Sequence, residues 1–336
     1  MMGDLDYCRM AIAKGSVSFH AASRLLPRGM RDPAVALYAF CRVADDNVDL
    51  SGAKIPAVLD LQRRLDLAYA ATPEDRPMDR AFARMVAQTG MPRALPEALL
   101  EGLAWDADER RYKDESALYA YCARVASAVG VMMCVLMGVR NGDALARACD
   151  LGVAMQLTNI ARDIGEDARA GRIYVPLDWL GEVGLTPEAL LALDTPDPRA
   201  ATLAKRLLSR ADALYLRADA GISALPHRAR LGIYAARYIY RAIGGRIAAN
   251  GYDSVTQRAY TGRTRKLALL GRAAGATAVS LTMPQSALLH ARPLPEVAFL
   301  VEAARGDSAP ARSDALMALL AQLKHRDRVL GQARTG

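Results

Sequence analysis

Two stretches of this chain set carboxylates side by side in a pattern that a bound cation would relieve. In residues 38–49 (YAFCRVADDNVD), Asp45 and Asp49 stand four apart, with Asp46 beside the first. Residues 156–167 (QLTNIARDIGED) repeat the spacing with Asp163 and Asp167, and Glu166 adjoins the second. On a helix, residues i and i+4 share a face, and two like charges there cost roughly 0.2–0.5 kcal/mol. Magnesium is suited to such a pair, because it takes carboxylate oxygens and keeps its other positions for water and substrate phosphates. A lone D-x-x-x-D on a helix is ordinarily a solvated face. Here both pairs lie in apolar helices, and each has an arginine nearby (Arg42, Arg162) able to grip a phosphate through two parallel hydrogen bonds. Gln156, Asn159 and Asp163 fall at i, i+3 and i+7, so amides and carboxylate share one stripe. Amides on an apolar helix are costly unless something hydrogen-bonds them. Two such helices facing each other would frame a cavity with acid at its mouth, suited to Mg²⁺-assisted diphosphate chemistry.

Helices must position these residues. Of 336 residues, 52% are apolar and only 6% aromatic, and alanine and leucine carry most of the apolar content. Those two are strong helix formers, whereas strands favour β-branched and aromatic residues. Apolar periodicity predicts helices over 33–50, 55–71, 76–89, 95–112, 116–138 and 143–167, then over 200–222, 228–250, 263–281 and 313–330. Pro33 and Pro96 are expected in first helical turns, and Asp143 at a helix start. Residues 169–178 (RAGRIYVPLD) read as a loop, followed by a broken stretch to Pro198. The expected architecture is all-α and a single domain, 1–284, with 285–336 as a helical tail of the same domain.

The net charge of +8 favours anionic partners such as phosphorylated small molecules or an acidic membrane surface. Nucleic acid is not expected, since no zinc-finger spacing or basic run interleaved with aromatics is present. Cys8, Cys41, Cys122, Cys134 and Cys149 show no C-x-x-C, and no secretory leader precedes them, so reduced thiols in a cytoplasmic protein are expected. The longest apolar stretch, 125–139, falls short of the roughly 20 residues a spanning helix needs. It is expected to be a buried core helix of a protein that is soluble or at most peripheral to the inner membrane.

The two acidic segments closely resemble the aspartate-rich motifs of the squalene/phytoene synthase family. Further matches follow in order: 16–27 (SVSFHAASRLLP), Gly102 to Asp106 as G-x-x-x-D, 121–130 (YCARVASAVG), 172–180 (RIYVPLDWL) and 236–243 (ARYIYRAI). Ser127 departs from the usual glycine. The resemblance, over about residues 5–280, implies an isoprenoid-synthase-type helical bundle around a central cavity. It implies that Asp45, Asp49, Asp163 and Asp167 hold Mg²⁺, with Mn²⁺ as a substitute. Arg42, Arg162 and Asn159 match positions near the diphosphates, and Ser16, Ser18, Phe19, Val125 and Gln156 match substrate-binding positions. Tyr121 and Tyr240 match tyrosines near the reacting carbons, where a ring face attracts a cation by roughly 0.5–2 kcal/mol. A tyrosine on an apolar helix fits the core equally well, Asp106 fits a pair with Arg110, and Arg265 and Lys266 fit an ordinary basic helix end.

The implied activity is prenyl transfer: Mg²⁺-dependent, head-to-head joining of two geranylgeranyl diphosphates through a cyclopropylcarbinyl diphosphate to phytoene, in carotenoid biosynthesis. The segments 16–27 and 172–180 are most like those of bacterial members that make phytoene, so NADPH is not expected. Enzymes that use the hydrocarbon further are implied as downstream partners. The alternatives are a squalene- or dehydrosqualene-forming enzyme using two farnesyl diphosphates, and a non-catalytic family member acting in binding or assembly.

Overall fold

Helix signals in the sequence map closely onto a computed structural model, which describes residues 3–15, 28–50, 54–306 and 314–335. No β-strand occurs among them. The helices are α1 (Asp4–Gly15), α2 (Arg28–Leu50), α3 (Lys54–Tyr69), α4 (Pro77–Thr89), α5 (Ala94–Ala107), α6 (Glu115–Cys122), α7 (Ala128–Leu136) and α8 (Gly142–Arg169). They continue with α9 (Leu177–Glu182), α10 (Pro187–Leu191), α11 (Pro198–Ile222), α12 (His227–Ala249), α13 (Arg263–Val279), α14 (Ala298–Arg305) and α15 (Asp314–Thr335).

Several ends follow from local chemistry. Asp197 caps α11 by accepting from the backbone N–H groups of Arg199 and Ala200, with Pro198 in the first turn, where its missing N–H costs nothing. Asp114 caps α6 through the Ala117 N–H at 2.9 Å. Pro33 does not start a helix as expected: α2 begins at Arg28 and carries Pro33 inside it. The proline removes one helical hydrogen bond, and burial of Ala34, Val35, Ala36 and Leu37 just beyond it anchors the helix. The helix expected to reach residue 112 stops at Ala107, because Glu109 takes a left-handed φ of 54°. The short helices α9, α10 and α14 fall below the length at which periodicity is legible, and the 12-residue α1 is not among the helices expected.

The chain divides into two compact units. The first holds residues 1–110, 131–141 and 299–336. In it α1, α2 and α4 pack together, and α3 lies against α2, α4, α5 and α15. Phe40 stacks on Phe82 at 4.0 Å within this core. Arg64 and Asp79, 1% and 2% exposed, form a buried pair at 2.6 Å. Asp4 on α1 binds Arg80 and Arg84 of α4, each at 2.6 Å.

The second unit holds residues 111–130 and 142–298. Its axis is the 28-residue α8, packed along α11 and α12, with α13 against α12. Thr158 of α8 and Tyr215 of α11 share a hydrogen bond of 3.1 Å. Fully buried Arg147 pairs with Asp150 at 2.6 Å and donates to the carbonyls of Leu288 and Ala291 at 2.8 and 2.7 Å. Arg217 reaches the same Asp150 oxygen at 2.9 Å, so one buried ionic knot ties the 287–292 segment to α8 and α11.

Between α6 and α7 the helix does not break; residues Ala123–Ser127 form a π turn. The resulting helix, Glu115–Leu136, is the one among the described residues long and apolar enough to cross a bilayer, and 61% of its most apolar window is buried. All five cysteines are buried and none forms a disulfide.

Candidate active site

Helix α8 presents one accessible stripe on an otherwise buried rod. Val153, Ala154, Leu157, Ile160, Ala161 and Ile164 are buried, while Gln156, Asn159, Arg162, Asp163 and Asp167 are half-buried. The Asn159 amide donates to Gln156 Oε1 at 3.4 Å, linking the two amides along the stripe.

Two glycines let neighbouring backbone close on this helix. A Cβ on Gly152 would lie 2.6 Å from Ser127 Cα, so the π turn rests directly on α8 one turn before Gln156. Ser127, fully buried, uses that proximity to donate to the Cys149 carbonyl at 2.8 Å. Serine is thus accommodated there because the opposing residue has no side chain. A Cβ on Gly165 would lie 2.2 Å from the Val255 oxygen, and the Gly165 N–H donates to the Ser254 carbonyl at 2.9 Å. The 253–256 turn, closed by the Asp253 carboxylate on the N–H groups of Val255 and Thr256 at 3.0 Å each, therefore lies against the acidic motif.

That contact delivers Arg258. Its Nε donates to Asp163 Oδ1 at 2.9 Å and lies 3.0 Å from Glu166 Oε2. Arg162 grips the same carboxylate through Nε at 2.8 Å and through Nη2. Two guanidinium forks converge on Asp163, a charge set that suits polyanion binding. Asp167 lies 3.8 Å from Arg172, and its carbonyl accepts the Arg172 N–H at 2.8 Å.

Asp163 and Asp167 are each 15% exposed, close enough to solvent to admit a cation. No group of three or more His, Cys, Asp or Glu side chains able to hold a metal occurs among the described residues. Mg²⁺ is ordinarily held by one or two carboxylates with substrate phosphates completing its shell. A hard-oxygen pair one turn apart fits that ion.

Tyr121 is buried within a three-ring cluster. Its ring centroid is 5.1 Å from Tyr112 and 5.0 Å from Tyr174, separations in the favourable range for aromatic pairs. The Leu177 and Asp178 N–H groups donate to the Tyr112 and Lys113 carbonyls at 2.9 Å each, pinning the 172–178 strap beside that cluster. Val125 lies half-buried in the π turn, followed by half-buried Ala126, Val129 and Gly130. On α12, burial raises the Tyr240 hydroxyl above the usual phenol value while the Arg162 guanidinium pulls the other way. Tyr240 is therefore a neutral donor within electrostatic reach of the acidic stripe.

Asp45, Asp49 and Arg42 lie in the last turns of α2, with Asp45 and Asp49 one turn apart; their side chains are outside the described residues. Ser16, Ser18 and Phe19 also lie outside them. The structure adds Arg258, Tyr112 and Tyr174 to the site residues the sequence suggested. Arg258 is 95 residues from Asp163, and no local spacing links the two. Gly165, inside an acidic motif where glycine weakens a helix, was the available hint of a close contact.

Comparisons with known proteins identify the family. The Squalene/phytoene synthase family model matches residues 12–265. Phytoene synthase of Cereibacter sphaeroides is 57% identical over 99% of this chain and 97% of its own, and that of Rhodobacter capsulatus is 55% identical over 97% and 98%. A crystal structure of a dehydrosqualene synthase in complex with ligand superposes with a TM-score of 0.75 at 30% identity, covering 81% of this chain and 95% of that one. With its paired acidic motif on a buried helix and a family match over most of its length, the chain belongs to the squalene/phytoene synthase family.

Proposed function

We infer that this protein is a prenyltransferase of carotenoid biosynthesis that joins two geranylgeranyl diphosphates head to head and forms phytoene. The carrying observation is the α8 stripe, where two arginine forks converge on Asp163 and a second carboxylate, Asp167, stands one turn on, in a chain 57% identical to a phytoene synthase. In the first half-reaction one substrate loses diphosphate from C1. The allylic cation is captured by the double bond of the second, and loss of a proton leaves a cyclopropylcarbinyl diphosphate. In the second half that diphosphate leaves, the skeleton rearranges, and another proton is lost to give the hydrocarbon.

Asp163 and Asp167, with Asp45 and Asp49 on α2, are the residues to hold Mg²⁺, which supplies Lewis-acid charge to a leaving diphosphate. Arg162 and Arg258 offer planar donor pairs to diphosphate oxygens, and Asn159 and Gln156 orient them. Tyr121 presents a ring to cationic carbon, while Tyr240 contributes a neutral hydroxyl and ring. Arg42, Ser16, Ser18 and Phe19 complete the substrate contacts in this reading, and Val125 and its apolar neighbours keep water from the cation. Mn²⁺ would serve as a substitute, and the route needs no NADPH. The protein works in the cytoplasm, peripheral to the inner membrane, and passes its product to downstream carotenoid enzymes.

The test is incubation of purified protein with Mg²⁺ and the C20 or C15 allylic diphosphate, with and without NADPH, followed by hydrocarbon extraction. Phytoene from the C20 substrate without NADPH supports the reading. A C30 hydrocarbon formed in preference would move the substrate to farnesyl diphosphate, and none from folded protein would favour a non-catalytic role. Asp163→Asn is expected to abolish turnover with the melting temperature nearly unchanged.

A further inference from the structure

Residues 254–295 contain no aspartate or glutamate, yet carry Arg258, Arg263, Arg265, Lys266, Arg272 and Arg292. Six charges of the chain's net +8 thus fall in one segment. The same segment holds Tyr260, Leu267, Val279, Leu281, Met283 and Leu288, six of the ten large apolar side chains exposed among the described residues. Leu267 and Met283 are 69% and 62% exposed.

Helix α13 organises this surface. Leu269 and Ala273 are its buried residues, and it packs on α12. At 3.6 residues per turn, the opposite face comprises Thr264, Leu267, Ala268, Gly271, Ala274 and Ala278, all exposed and none charged. Arg263 lies along one edge of that face and Arg265 and Arg272 along the other, all three exposed. A surface helix ordinarily turns its charged residues outward and its apolar stripe inward. Here the outward face is apolar, with cations at its borders.

We propose that the 254–295 surface, centred on the outward face of α13, docks the protein onto a bilayer containing anionic lipid. An apolar face flanked by basic residues is the pattern of a helix lying in a membrane interface. Exposed arginines meet anionic headgroups while Leu267, Val279, Leu281 and Met283 enter the boundary of the acyl region. A second copy of this chain is a poorer occupant, since a two-fold contact would press two positively charged segments, neither holding an aspartate or glutamate of its own, together. The docking brings a hydrocarbon-forming enzyme to the phase in which its product dissolves. Binding is measured apart from turnover, so the proposal and the reading of the reaction can fail separately.

The test is flotation of the full chain with vesicles of phosphatidylcholine alone or mixed with phosphatidylglycerol. The expected result is at least tenfold stronger binding to the anionic vesicles, weakened by salt. Leu267→Glu/Leu281→Glu should lower that binding by tenfold or more while retaining turnover of detergent-dispersed substrate. Arg263→Gln/Arg272→Gln should reduce the preference for anionic lipid, at roughly fivefold per cation removed, with turnover again retained. Equal binding of the wild type to both vesicles, or variants that bind as it does, overturns the proposal. So does a wild-type dimer in sedimentation that becomes monomeric in the Leu267→Glu/Leu281→Glu variant.

Discussion

Replacing Gly165 with alanine tests how the acidic motif is supported. The new Cβ would lie 2.2 Å from the Val255 oxygen and 2.7 Å from its Cα, both backbone atoms that cannot rotate away. The 253–258 segment must retreat, stretching the 2.9 Å Gly165–Ser254 hydrogen bond and the 3.1 Å bond from Arg169 to the Val255 carbonyl. Forced overpacking of this kind costs about 1–3 kcal/mol. Unfolding entropy near 2.1 cal/mol/K per residue then sets the expected fall in melting temperature at about 1.5–4 °C for a chain of this length. Retreat of the turn also carries Arg258 off Asp163 and Glu166, so kcat/KM should fall by tenfold or more. Gly245→Ala is the control: it lies in α12 with nothing within 4 Å of a Cβ, and helix propensity predicts stabilisation of about 0.5–1 kcal/mol. Calorimetry and steady-state kinetics on both variants decide the matter. Wild-type melting and kinetics in Gly165→Ala would refute the account of how Arg258 reaches the site.

Arg258→Gln removes one fork from Asp163 without touching the fold, and should lower kcat/KM on the C20 diphosphate by tenfold or more with the melting temperature within about 1 °C of wild type; kinetics and calorimetry on one preparation check it. Tyr174→Leu deletes a ring that packs on Tyr121, a pairing worth about 0.5–1.5 kcal/mol. Its expected signature is released cyclopropylcarbinyl diphosphate among the products, with Tyr174→Phe restoring the wild-type pattern, read by chromatography of the extract. Asp197, held at about 2 by the Arg199 guanidinium and two backbone N–H groups, stabilises α11 fully above the unfolded aspartate value near 3.9. That contribution fades as pH falls from about 4 towards 2, so the stability gap between wild type and Asp197→Ala, about 1 kcal/mol near neutrality, should narrow over that range in thermal melts.

The helical class, the order of the long helices and the carboxylate spacings are all local properties, and they were legible for a physical reason. Helical hydrogen bonds link residues four apart, so Asp163 and Asp167 were bound to share a face once α8 was recognised as apolar. The stripe from Gln156 to Asp167 and the placing of Asp143 in the first turn of α8 belong to the same class of inference. Pro33 shows its limit: proline favours a first turn, yet burial of the residues beyond it lets α2 begin a turn earlier.

Contacts across long stretches of chain obeyed no such rule. Arg258 meets Asp163 because Gly165 has no side chain and Asp253 closes a turn against it, and neither residue's type announces the pairing. Tyr112 and Tyr174 flank Tyr121 where backbone hydrogen bonds join residues 112 and 113 to 177 and 178, 65 positions along the chain. The acid-free run at 254–295 was visible in the linear sequence, but burial of Leu269 and Ala273 decides which face of α13 turns outward. Local periodicity therefore determined the helices and the acidic pairs they carry. Tertiary packing alone chose the partners of those acids, because long-range contact depends on which surfaces can approach and not on their spacing along the chain.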